Sequence, residues 1–234
     1  MTPSLPRRSV RPWLPRVLAG LCCAGWLAAP VQAQTASNLS LNAQLLMGAR
    51  DGDMALVERV LAQGAAPESR NRLGKTPLFI AAEKGNLALV ERLLAAKADA
   101  DLPSLEKVTP LMAASYNGHA AVALRLLAAG AHADPVDRMG KTAAVYAAGQ
   151  GHAAVLDVLL KAGIDVNAAY EHRLTALMWA AGQGHVEAVR LLLARGARPE
   201  AQDDRGLSAA GIARAAGQAA AAEAVEAPAP ASTR

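Results

Sequence analysis

The chain has 234 residues, a formal net charge of +4, and 53% hydrophobic but only 3% aromatic residues, with alanine alone at 57 positions. So few rings exclude a base-stacking nucleic-acid surface and a single core of large side chains, and positive hydropathy with 19% charged residues excludes a wholly disordered chain. Alanine favours helix, so the packing predicted is helix on helix through small side chains.

Residues 1–33 read as an export signal. Arg7, Arg8, Arg11 and Arg16 stand in an opening stretch without an acidic residue; Val17 to Ala29 carry no charge; Val31 and Ala33 are small and one residue apart. That order predicts Sec export with cleavage after Ala33. The apolar run is shorter than the roughly 18 residues of a membrane span, so no stable anchor is expected after cleavage. Leu21 before Cys22 suits lipidation poorly, and Ser9, Val10 and Arg11 after Arg7-Arg8 suit twin-arginine export poorly. Removing the signal takes away both cysteines and four arginines and leaves twenty basic against twenty acidic residues. The positive charge therefore belongs to the leader, and the neutral remainder argues against a nucleic-acid partner. The periplasm is the expected location, with the extracellular space as the alternative.

After a short linker at 34–39, one domain is expected over 40–226. Thr76, Thr109, Thr142, Thr175 and Ser208 recur every 33 residues. Gly52, Gly85, Gly118, Gly151, Gly184 and Gly217 form a second series, and the pairs Leu93-Leu94, Leu126-Leu127, Leu159-Leu160 and Leu192-Leu193 a third, all in one register. Each Thr reads as a helix N-cap, with Pro77 and Pro110 at the first helical position, where no N–H is needed. A short helix through Ala81-Ala82 and its equivalents follows, closed by Gly85 and its counterparts. A second helix presents Leu89, Val90, Leu93 and Leu94 at helical spacing. A short extended segment, such as 164–167, then leads into a turn such as Asn71 to Lys75 or Asp137 to Lys141, where Asn or Asp three residues before Gly is turn chemistry. The units are an N-terminal cap at 40–70, full repeats at about 71–103, 104–136, 137–169 and 170–202, and a C-terminal cap at 203–226. Residues 227–234 read as a disordered tail.

The 33-residue period, Lys75-Thr76-Pro77-Leu78-Phe79-Ile80-Ala81-Ala82, and Gly184-His185 leading into Leu191-Leu192-Leu193 resemble ankyrin repeats. The resemblance spans about residues 40 to 224. It implies an all-α solenoid of stacked helix-turn-helix units joined by β-hairpin-like turns. Departures are Phe79, Met112, Val145 and Met178 in place of the family's His, Ala143 and Ala176 in place of Pro, and Lys97, Lys107 and Arg173 in place of turn glycines. These last three put the regularity of the turns after residues 97, 104 and 170 in question.

No catalytic, cofactor or metal site is read from the chain. His119, His152 and His185 recur at one repeat position; equivalents in stacked units lie about 8–10 Å apart, whereas zinc needs its nitrogens within about 2.1 Å. They are read as joint histidines bonded to nearby backbone, and His132 and His172 as isolated. Asp51 with Asp53, and Asp203 with Asp204, are turn and cap residues. The chain is therefore not expected to be an enzyme.

The ankyrin resemblance implies partner binding on a concave face of inner helices and turn tips. Mapped onto this sequence, the tips supply Arg72, Leu73, Lys75, Leu105, Glu106, Val108, Arg138, Met139, Lys141, Glu171, His172 and Leu174. The inner-helix ends supply Glu83, Lys84, Tyr116, Asn117, Gln150 and Gln183. Apolar residues beside Arg and Tyr suit a protein partner. Tyr146 and Trp179 share an inner-helix position and are read as filling gaps between repeats. The expected function is that of a monomeric exported protein-interaction module, a scaffold or a chaperone-like accessory factor. The alternatives are an effector acting on another cell's protein and an accessory subunit of a periplasmic enzyme.

Overall fold

A computed structural model describes residues 31–227; the side chains of 31–40 are not described. Residues 1–30 of the expected export signal and residues 228–234 of the expected tail lie outside the described residues.

The helices come in pairs. The first pair is α1 (Val31–Asp51) and α2 (Met54–Ala62), followed by α3 (Pro77–Glu83) with α4 (Leu87–Ala95) and α5 (Pro110–Tyr116) with α6 (Ala120–Ala128). Then come α7 (Ala143–Gly149) with α8 (Ala153–Lys161), α9 (Ala176–Gly182) with α10 (Val186–Ala194), and α11 (Ala209–Ala215) with α12 (Ala219–Glu226). A 3-10 turn, Glu171–Arg173, precedes α9. There is no strand among the described residues apart from an isolated antiparallel bridge between Gln202 and Ser208. The fold is the expected all-α solenoid. One expectation is corrected: α1 runs through 34–39, the stretch read as a linker. No Pro or Gly follows Pro30 until Gly48, so nothing in that stretch stops a helix.

Local chemistry explains the repeat. The hydroxyls of Thr76, Thr109, Thr142, Thr175 and Ser208 accept from the backbone N–H three residues on, capping each inner helix. Asp53 and Asn86 cap α2 and α4 in the same way. Inner helices α3, α5, α7, α9 and α11 stack in one layer, each burying an Ala pair or single Ala such as Ala81-Ala82, Ala147-Ala148, Ala180-Ala181 or Ala213. Outer helices α4, α6, α8 and α10 bury Leu93, Leu126, Leu159 and Leu192 completely, together with Val90, Val122, Val155 and Val189 on the same face. The core is therefore a ribbon between two helix layers, renewed in every repeat, and needs no large aromatic side chain.

The joint histidines tie repeats together. Nε2–H of His119, His152 and His185 donates to the carbonyls of Glu83, Tyr116 and Gly149 in the preceding unit, at 3.2, 2.9 and 3.0 Å. Each ring lies over the glycine of that unit. A Cβ on Gly85, which has φ +72°, would sit 2.5 Å from the His119 ring. On the far edge the side chains of Glu68, Asp101 and Asn167 accept from the backbone N–H of Asp99, His132 and Arg198 in the next unit, at 2.7, 2.9 and 2.8 Å. His132 is thus not isolated: its Nδ1 also meets Asp101 at 2.5 Å.

The tips close as hairpins. The backbone N–H of residues 71, 104, 137, 170 and 203 donates to the carbonyl four residues on, at 2.9–3.1 Å. Neighbouring tips are joined by Leu105 N–H to Leu73 O, Arg138 N–H to Glu106 O and Asp204 N–H to His172 O, at 3.0, 3.2 and 3.1 Å. No such bond joins the 137–141 tip to the 170–174 tip. The segments after the outer helices, expected as extended, are turns and irregular chain.

Candidate partner-binding groove

Every residue predicted for partner contact is accessible. Arg72, Leu73, Lys84, Leu105, Glu106, Tyr116, Asn117, Arg138, Met139, Gln150, Glu171, His172 and Gln183 are exposed; Lys75, Glu83, Val108, Lys141 and Leu174 are half-buried. Leu73, Leu105 and Met139 keep 60, 55 and 64% of their surface in solvent, so neighbouring tips do not absorb them. Val108 and Leu174 pack against the core.

Three depressions merge into one groove between tips and inner helices. The first, about 270 Å³, lies between Lys75, Phe79, Glu83, Val108, Tyr116 and Tyr146. The second, about 360 Å³, shares Tyr116 and Tyr146 with it and adds Lys141, Gly149, Gln150, Trp179, Gln183 and His185. The third, about 230 Å³, shares Lys141, Val145 and Trp179 and adds Met139, Tyr170, Glu171, His172 and Leu174. It opens where the bond between tips is missing. His172 and Arg173 are both left-handed there (φ +57° each), which turns the chain into the 3-10 helix.

The five aromatic residues of the described chain, Phe79, Tyr116, Tyr146, Tyr170 and Trp179, all line this groove. Tyr116 meets Tyr146 edge-on, with centroids 5.6 Å apart and planes at 85°, a favoured aromatic geometry. The Tyr146 hydroxyl donates to the Asp137 carboxylate; burial first, then that bond, pushes its pKa above the usual tyrosine value. Burial likewise raises Tyr170. Lys141 Nζ lies over the Trp179 and Tyr146 rings, 5.0 and 5.8 Å from their centroids. Tyr146 and Trp179 do pack on the core, as a gap-filling role requires, but each also gives a face to the groove. The charged residues at the groove's margin are mostly self-paired, Lys75 with Glu83 at 2.7 Å and Arg138 with Glu106 at 3.7 Å, and the His172 ring stands 3.6 Å from the Asp204 carboxylate.

The groove's chemistry is that of contact. The joint histidines spend Nε2 on backbone carbonyls, and among the described residues no group of three or more His, Cys, Asp or Glu side chains is placed to hold a metal. The family model described as ankyrin repeats matches the chain in three copies, over residues 45–137 and 124–203. The chain belongs to the ankyrin-repeat family. No curated protein matches it. Ankyrin repeats are protein–protein interaction modules and generally non-enzymatic scaffolds, which agrees with a groove of aromatic, amide and charged side chains. Among the described residues no helix of the ankyrin array is long and apolar enough to cross a membrane.

Mapping by repeat position found the tips and the helix ends. It missed Phe79, Tyr170 and Asp137, and it assigned Tyr146 and Trp179 to packing alone. The available signal was compositional: in a chain so poor in rings, the few that stand between residues 79 and 179 call for an explanation.

Proposed function

We propose that this ankyrin array is an exported protein-interaction module, a scaffold or chaperone-like accessory factor of the periplasm, monomeric, with its partner lying along the groove. The observation that carries the reading is the convergence of all five described aromatic side chains on that groove. Aromatic residues dominate the few contacts that supply most binding energy, and four of these five rings, Tyr116, Tyr146, Tyr170 and Trp179, keep accessible surface while Phe79 is buried. The order of charge, apolar run and small residues at 1–33 supports export, and the neutral remainder supports a protein partner over a polyanion.

Photo-crosslinking in live cells tests this. A photoreactive residue at Met139 or Gln183 is expected to form a defined adduct, while the same group at Glu91 or Arg190, exposed on outer helices, forms none. Simultaneous charge reversal at Arg72, Lys75, Arg138 and Lys141 abolishes the adduct. Adducts from the outer-helix positions alone would overturn the groove assignment. Fractionation is expected to find a periplasmic protein lacking its first 33 residues; a full-length cytoplasmic protein would overturn export.

A further inference from the structure

We infer that the groove at Lys141 receives an aspartate or glutamate side chain from an extended segment of the partner protein; this rests on the groove reading above. The argument is a comparison between repeats two units apart. Lys75 and Lys141 hold the same repeat position, and so do Glu83 and Gly149. In the earlier unit the Lys75 ammonium lies over the Phe79 ring at 5.0 Å and meets its own carboxylate, Glu83, at 2.7 Å. In the later unit Lys141 again lies over rings, those of Trp179 and Tyr146, but the carboxylate position is glycine. No other carboxylate pairs with Lys141 among the described residues. Both repeats are open at this place, but the pocket of about 270 Å³ in the earlier unit has Glu83 in its wall, whereas the pocket of about 360 Å³ in the later one has Lys141, Gly149 and Trp179 and no carboxylate.

A half-buried ammonium resting on aromatic faces keeps donors for a carboxylate, and a charge-assisted bond in such a partly desolvated site is stronger than one in water. The exposed side chains of Gln150 and Gln183, one repeat apart, flank the pocket and offer donors and acceptors to the segment's backbone. Units stack about 10 Å apart and an extended chain advances about 3.3 Å per residue, so about three residues of the segment span one repeat.

The test uses fluorescence anisotropy with the full chain and Ala/Ser peptides of about eight residues. One peptide is blocked at both ends and carries one central glutamate. The second has glutamine there, and the third is the glutamine peptide with a free C-terminal carboxylate. The glutamate peptide is expected to bind the wild type about tenfold more tightly than the glutamine peptide, and to lose about tenfold on Lys141→Met. Gly149→Glu restores the internal partner and is expected to abolish binding while Lys141 remains. A Cβ on Gly149 comes only within ordinary contact of Trp179, 3.8 Å, so this variant is expected to melt as the wild type does. The inference is overturned if glutamate and glutamine peptides bind alike, if no peptide binds the wild type, or if Lys141→Met or Gly149→Glu keeps full affinity. It is also overturned if only the free C-terminus binds. Photo-crosslinking separates the two readings: groove adducts that survive Lys141→Met keep the groove and sink the carboxylate, whereas outer-helix adducts alone sink both.

Discussion

The five hairpin tips are of two kinds. The tips at 71–75, 137–141 and 203–207 are built around Asn71, Asp137 and Asp203. In each, the side-chain Oδ1 accepts from the backbone N–H two and four residues on, at 2.8–3.0 Å. A left-handed glycine then closes the turn. The tips at 104–108 and 170–174 have neither device. Ser104 makes no such pair of bonds, and left-handed Lys107 (φ +60°) or the pair His172 and Arg173 stand where glycine would. All five still close with the same backbone bond. The first kind is held by its own side chain; the second is held by its neighbours, through Leu105 N–H to Leu73 O and Asp204 N–H to His172 O. A tip that depends on its neighbours can come apart from one of them, and the 170–174 tip does so on its Met139 side, opening the groove's third depression.

The largest expected effect separates the two kinds outright. Asp137→Ala removes both turn bonds and the Tyr146 hydroxyl's acceptor at a buried position, and is expected to cost about 3 kcal/mol in urea unfolding. Ser104→Ala at the equivalent position is expected to cost less than about 0.5 kcal/mol. Similar losses at the two sites would mean that the side chain at the turn's start does not distinguish the tips.

The next effect sharpens the comparison at the turn glycines. Gly74 has φ +73°, and a Cβ there would sit 2.9 Å from the Leu105 backbone nitrogen, on the very residue that joins two tips. Gly206, at φ +77°, has nothing within 4 Å. Gly206→Ala is expected to cost about 1 kcal/mol, the left-handed penalty alone. Gly74→Ala is expected to cost about 2 kcal/mol, because the tips must also move apart. The reverse change is expected to stabilise: Lys107→Gly and Arg173→Gly should each gain up to about 1 kcal/mol, read as a thermal midpoint raised by about 2–4 °C. Arg173→Gly gives the smaller gain, because His172 remains left-handed beside it.

These differences also mark how far the sequence was legible. The capping Thr series, the Ala pairs and the outer-helix Leu faces each repeat at a fixed position, so periodicity reveals them, and one helix pair predicts the next. The His row was read correctly as bonded to backbone because stacking distance alone excludes a shared metal. The unusual residues at 97, 107 and 173 were visible as missing glycines, and all three are left-handed. What periodicity cannot reveal is anything assembled from different repeat positions. Phe79 stands three residues after its Thr, Tyr146 and Trp179 four, Tyr116 seven, and Tyr170 lies before its Thr. They share a groove because the stack brings these positions together, not because the sequence aligns them. The left-handed His172 was equally hidden, since its residue type breaks no repeat rule. Helix α1 was underestimated because it lies before the first unit of the repeat, where the only guide is the absence of breakers.

The smallest expected effect distinguishes tips of the first kind from one another, by pH. Asn71 and Asp203 make the same pair of turn bonds, but only Asp203 titrates. Burial alone pushes the Asp203 carboxyl up, yet the backbone N–H of Leu207 and both the side chain and backbone of Arg205 outweigh it and hold the pKa below the usual carboxyl value. A carboxyl lowered in the folded state contributes stability that is fully present above its unfolded pKa of about 3.9, and that contribution is lost as pH falls through the lowered value. The 203–207 tip is therefore expected to loosen below about pH 4 while the 71–75 tip does not. Amide hydrogen exchange at Arg205 and Leu207, compared with Leu73 and Lys75, reads the two tips separately. Asp203→Asn makes the third tip chemically like the first and is expected to remove the difference. If exchange at Leu207 still accelerates in acid in that variant, the carboxylate is not what holds the tip, and Arg205, which loses its partner in the same change, becomes irrelevant to it as well.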